Sequence, residues 1–161
     1  MADAFVVIAC ALSLINRPLT TMPPIELVER RPTEVSPQAE AYVRPGDDVI
    51  YLLTSTTALR KARAARPPCS NREPLVKLAS IFAHELWHVR HGPDERGAYE
   101  AQLTTLLWLG MAADSPVYNE VRRSMREVLT EQKRRPRPMR TLPRRRRGGQ
   151  AGLQTRRRSL G

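Results

Sequence analysis

The three histidines of this chain all fall within eight consecutive residues, in the run His84-Glu85-Leu86-Trp87-His88-Val89-Arg90-His91. This run constrains the backbone more than any other feature. Positions four apart become neighbours on a helix, and there His84 and His88 can turn both imidazoles toward one point. Glu85 is turned about 100° from His84 and can reach a water at that point without occupying it. The surrounding residues also call for a helix. Leu75, Leu78, Phe82, Leu86 and Val89 recur at helical spacing and leave the histidines off the apolar stripe, toward a cleft. Ser70 and Glu73 have the spacing of a capping box, and Pro74 is tolerated in a first turn. Gly92-Pro93 stops the helix.

The first five residues of the run spell H-E-x-x-H, the donor arrangement of a zinc hydrolase. Tetrahedral zinc needs a third protein ligand and an open position. His91 lies about 10.5 Å from His84 along the helix axis, too far for bonds of about 2 Å to one ion. The third ligand is therefore expected from chain that turns back after Gly92-Pro93, where Asp94, Glu95 and Glu100 are available. His91 is left to hydrogen-bond near the site or to face solvent, and Trp87 is expected to pack.

From His84-Glu85 and His88 on to Glu95-Arg96-Gly97-Ala98-Tyr99, about residues 70–111, the chain resembles the gluzincin branch of zincin metallopeptidases. In that branch a second helix supplies a glutamate within E-x-x-A/S-D. Glu95 and Ala98 match this pattern, and Tyr99 stands where an aspartate is usual. The interval from His88 to Glu95 is also shorter than in most of that branch. The compact metzincin pattern would place its ligand at Asp94 but wants glycine at position 91, and here Gly92 comes one place late. The resemblance favours Glu95 and implies that His84, His88 and Glu95 hold one zinc ion, with Glu85 as general base. Tyr99 is a candidate to hydrogen-bond a ligand carboxylate or an oxyanion, or else a packed tyrosine. Gln102, three positions after Tyr99, is a candidate to hydrogen-bond near the site or, by preference, an exposed glutamine. The implied activity is peptide hydrolysis, with an extended substrate pairing along a sheet edge, for which Val49–Thr54 is the candidate. The alternatives are an inactive zinc-binding interaction domain and a nucleic-acid-binding protein.

The rest of the chain bounds these readings. Its 161 residues allow one domain and a modest core. From Lys133 onward there are 12 basic residues and no acid, whereas residues 1–132 hold 15 basic and 16 acidic ones. The excess charge thus belongs to residues 133–161, which are expected to be disordered and to contact nucleic acid only weakly, since no aromatic residues interleave with the arginines. The apolar run from Ala4 to Ile15 is too short to span a bilayer and reads as a packing helix; Val7-Ile8-Ala9-Cys10 could also pass for a lipid-anchoring or export signal. The spacing of Cys10 and Cys69 gives no reason to pair them, and a cytoplasmic location is favoured. Ile25–Val28 and Val49–Thr54 read as strands, with helices from about Thr57 to Ala65, from Asp94 or Glu95 to Met111, and from Ser115-Pro116 onward. The expected fold is α+β: a small sheet beside a helical pair carrying the motif, in a monomer with a domain at 1–132.

Overall fold

A computed structural model describes residues 1–134, in which five helices and one three-stranded mixed sheet form an α+β fold. The helices are α1 (Ala4–Leu14), α2 (Thr57–Ala64), α3 (Arg72–His91), α4 (Glu95–Trp108) and α5 (Pro116–Arg134). The strands are β1 (Ile25–Val28), β2 (Ala41–Val43) and β3 (Ile50–Leu53).

Helix α3 is the axis of the molecule. Every residue from Pro74 to Phe82 is buried, because α1, α2, α4 and β2 pack around this half of the helix. The apolar stripe read from the sequence is therefore only part of the story: Val76, Ala79 and Ile81 are buried as well. Helix α1 is the packing helix that its composition suggested, with Val7, Ile8, Ala11 and Leu12 fully buried in the common core. Among the described residues no helix is long and apolar enough to cross a membrane.

The sheet order is β1-β3-β2, with β1 parallel and β2 antiparallel to β3. This corrects the expected edge. Ile50–Leu53 lies at the centre of the sheet with all four residues buried, which is what a continuous apolar run in place of an alternating one denotes. The edge nearest α3 is β2, a three-residue strand that sequence patterning overlooked. It pairs with β3 across the Pro45-Gly46 turn, where Gly46 takes the left-handed φ of 79°.

Several element ends also differ from expectation. Helix α3 begins at Arg72 with Asn71 in the cap position, and the Ser70 N–H donates to the Pro67 carbonyl; no Ser70–Glu73 capping box forms. Helix α4 stops at Trp108, short of Met111, because Gly110 adopts a φ of 85°. The Gly110 and Met111 N–H groups then bond the Leu107 and Leu106 carbonyls, closing the helix end. Helix α5 runs through Lys133 and Arg134, two cations suited to the negative end of a helix dipole. The remaining residues expected to be disordered, 135–161, lie outside the described residues.

Cys10 and Cys69, read as unpaired, form a disulfide that ties α1 to the loop entering α3. Their proximity is a tertiary effect of α1 packing beside that loop, and nothing local in the sequence signals it. The bond closes a loop 59 residues apart in sequence, for which chain entropy gives about 4 kcal/mol of stabilisation. The Cys10→Ser variant should lose roughly that much in urea unfolding, about 3–5 kcal/mol. Two free thiols in the unreduced, denatured parent would contradict the pairing.

Candidate metal centre

Beyond Phe82, helix α3 leaves the core and one flank opens onto a cavity of about 790 Å³. The cavity is bounded by α3, α4, α5, β2 and the loops on either side of β2. His84, Glu85 and His88 all line it, as the helical spacing required.

The chain reverses at Gly92, whose φ of 77° is open to glycine at little cost and to other residues only with strain. Its N–H bonds the His88 carbonyl at 2.9 Å and ends α3. Helix α4 then runs back along α3, pairing Trp87 with Gly97, His84 with Tyr99 and Ser80 with Gln102. At Gly97 the approach is so close that a Cβ would lie 2.4 Å from Cζ2 of Trp87. Trp87 therefore packs, as expected, and a glycine is required opposite it. This junction brings the first residue of α4, Glu95, to the two histidines.

The three side chains converge. The Nε2 atoms of His84 and His88 lie 3.1 Å apart. Glu95 approaches them with Oε2 at 3.6 Å from His84 and Oε1 at 3.7 Å from His88. One ligand atom from each of the three residues falls within 4.8 Å of the others, so the group could hold a metal ion. Four-coordinate donors at bond lengths of about 2.0–2.1 Å are separated by about 3.3 Å, close to these spacings. The Nδ1 of His88 lies 2.9 Å from the Gly92 carbonyl, which can only accept; Nδ1 must therefore carry a proton and donate, leaving Nε2 for a metal. The residue that ends α3 thus also sets the tautomer of a candidate ligand.

The structure separates the remaining candidates. Asp94 and Glu100 are exposed and lie outside the group. His91 is exposed and stacks at a tilt on Trp87, with ring centroids 4.2 Å apart. Tyr99 is buried and meets the His84 ring edge-on at 4.6 Å. Gln102 is also buried, which corrects the preferred exposed reading and agrees with the other: its amide reaches Ser80 Oγ at 3.5 Å beside the cavity.

Burial and charge oppose one another here. Glu85 is only 3% exposed, and burial pushes its carboxyl above the usual range despite the pull of His84 and His88. Burial also opposes the charged forms of His88 and Glu95, but their mutual contact prevails. With added help from the Gly92 carbonyl and Glu85, His88 rises to about 9. Contact with His84 and His88 takes Glu95 down to about 2. Burial, reinforced by nearby acids, raises the Tyr99 hydroxyl, so it remains a donor throughout the neutral range.

Sequence reasoning passed over two contributors. Gly97 could have been signalled by a glycine in the first turn of a helix that must return past a tryptophan. Lys77 is buried in the cavity wall and paired with Glu40 at 2.9 Å, with Glu120 at 3.7 Å. Its signal was a lone charge in an otherwise apolar half-helix, seven residues before His84.

Two outcomes follow for the metal-free protein. Glu95 has a folded pKa of about 2, below its ordinary 4.5, so its contribution to stability is present above pH 4.5 and lost as pH falls toward 2. His88 is raised from 6.5 to about 9, so its contribution is complete below pH 6.5 and lost as pH rises through 9. Melting temperatures in chelator should therefore peak between these limits, and a maximum above pH 9 would exclude the ion pair. Gly97→Ala should separate α3 from α4 at Trp87, lowering stability by about 1–3 kcal/mol and weakening metal binding. Unchanged metal affinity in a folded Gly97→Ala protein would show that this junction does not position Glu95.

No family model, curated protein or solved structure gives a significant match to this chain.

Proposed function

We propose that the protein is a zinc-dependent metallopeptidase of gluzincin type. The observation that carries this reading is the placing of Glu85, buried and lining the cavity that holds the His84–His88–Glu95 group. A carboxyl that only oriented a ligand would be hydrogen-bonded to it. Glu85 Oε2 instead has no partner among the described residues and is free to serve as the base that metal-assisted hydrolysis needs near its water. Two imidazoles and a carboxylate suit zinc, and three protein ligands leave a position open, as catalytic sites do. When bound, zinc would polarise the scissile carbonyl and make a water acidic enough to be deprotonated near neutral pH.

The side chains divide the remaining work. Glu85 takes the proton from the attacking water and passes it to the leaving amine; its raised pKa brings it nearer the range in which both transfers are easy. Tyr99, protonated at neutral pH, packed on His84 and lining the cavity, would donate toward negative charge developing on the carbonyl oxygen. Peptide alignment falls to β2, replacing the β3 edge expected from sequence. The Leu53 N–H bonds the Glu40 carbonyl, so the antiparallel alternation turns the backbone groups of Ala41 and Val43 away from β3. No strand lies on that side among the described residues, and an extended peptide can pair there beside the cavity. The Cys10–Cys69 bond favours an oxidising compartment over the cytoplasm expected earlier.

Glu85→Gln keeps the shape of the side chain and removes the base. It should retain metal while cleavage of a peptide library falls by about 10²–10⁴-fold. Undiminished cleavage would remove Glu85 from this role, and metal retention without cleavage in either protein would favour a noncatalytic interaction domain.

A further inference from the structure

The mouth of the cavity is acidic. Four acids that line it bracket the edge strand β2: Glu34 and Glu40 before it, Asp47 and Asp48 after it. Lys77 offsets Glu40, and Arg44 lies over the Tyr51 ring at 4.5 Å, leaving an excess of negative charge at both ends of the strand. Deeper in the same cavity Glu85, only 3% exposed, has an Oε2 with no hydrogen-bond partner among the described residues. A buried acceptor of this kind takes its donor from a water or from a ligand that enters the cavity. A ligand that extends along β2 and is dense in charged N–H donors meets both requirements, and arginine meets them best.

The chain itself carries such a segment. Residues 135–161 contain ten arginines and no acid, against a nearly neutral remainder. The segment follows directly on α5, which lines the cavity through Val121, Ser124 and Val128. From Val128 to Arg134 the helix rises only about 9 Å. A further 27 residues can extend about 90 Å, so return to the cavity is sterically easy. Tethering raises the local concentration of such a segment to the order of millimolar, well above what a free peptide attains.

We propose that the cavity recognises arginine-rich extended peptide, and that residues 135–161 of the same chain are its resident ligand. The segment competes with any other ligand for the β2 edge. The proposal does not require the centre to hydrolyse peptides, since it concerns occupancy of the cavity.

The test uses the full chain with a photoreactive benzoylphenylalanine in place of Gln150, irradiated at dilute concentration and mapped by mass spectrometry. Cross-links within one molecule to residues 34–48 and to the cavity-lining part of α5 are expected. They should fall by about fivefold or more in about 0.5 M salt. They should fall similarly in Glu34→Gln/Asp48→Asn, whose two positions are exposed and leave the core untouched. Cross-links scattered over the surface, formed only between molecules, or insensitive to both changes would overturn the proposal. Cross-linking to nucleic acid in place of the cavity would overturn it too and assign the arginines to phosphate binding.

Discussion

The close approach of α4 to α3 at Gly97 is the contact on which the centre depends. Two histidines on one helix are easily aligned, since helical geometry alone brings them together. The third donor is harder to place because it must arrive on another element and still come within a few ångströms. Gly92 turns the chain sharply, and Gly97 removes the side chain that would hold α4 away from Trp87. Glu95 then begins α4 opposite His84 and His88. The backbone therefore sets the donor spacing, and the buried half of α3 fixes the backbone.

A second constraint is electrostatic. Glu85, Glu95, His84 and His88 share a partly buried region in which isolated charges are costly. The cost is lowered by pairing: Glu95 stays ionised against the two imidazoles, and His88 gains protonation in return. Glu85 feels the same two imidazoles, but burial outweighs their pull and its carboxyl is raised. The same burial that opposes charge on Glu95 and His88 thus raises the Glu85 carboxyl above that of an exposed glutamate. One environment thus sets two chemically similar carboxylates apart, Glu95 lowered and Glu85 raised.

Much of the α+β fold could be read from the chain because helical periodicity and punctuation are local. The motif helix, its stop at Gly92-Pro93, α1 and the start of α5 all rest on such signals. The histidine pair was legible for the same reason, and the reach of a metal bond was enough to set His91 aside. Spacing alone left Glu95 as one of three acids; the resemblance favoured it, and the return path of α4 brings it to the histidines. Features that depend on distant parts of the chain were not legible. The pairing of Cys10 with Cys69 requires the position of α1, and the edge status of β2 requires the order of strands. Three residues of Ala41-Tyr42-Val43 carry too little pattern to announce a strand. Gln102 read more readily as a surface residue because polarity usually means exposure, and Lys77 drew no reading at all; both are buried through partners contributed by other elements.

The account stands most directly on the identity of the three donors. The decisive measurement is the zinc content of the purified full chain beside Glu95→Ala, Asp94→Ala and Glu100→Ala, each checked for folding by circular dichroism. About one zinc per chain is expected for a single site in the parent, Asp94→Ala and Glu100→Ala, with a substantial loss confined to Glu95→Ala. A parent that takes up no zinc when supplied with it, or a folded Glu95→Ala protein that binds zinc as well as the parent, would contradict the assignment.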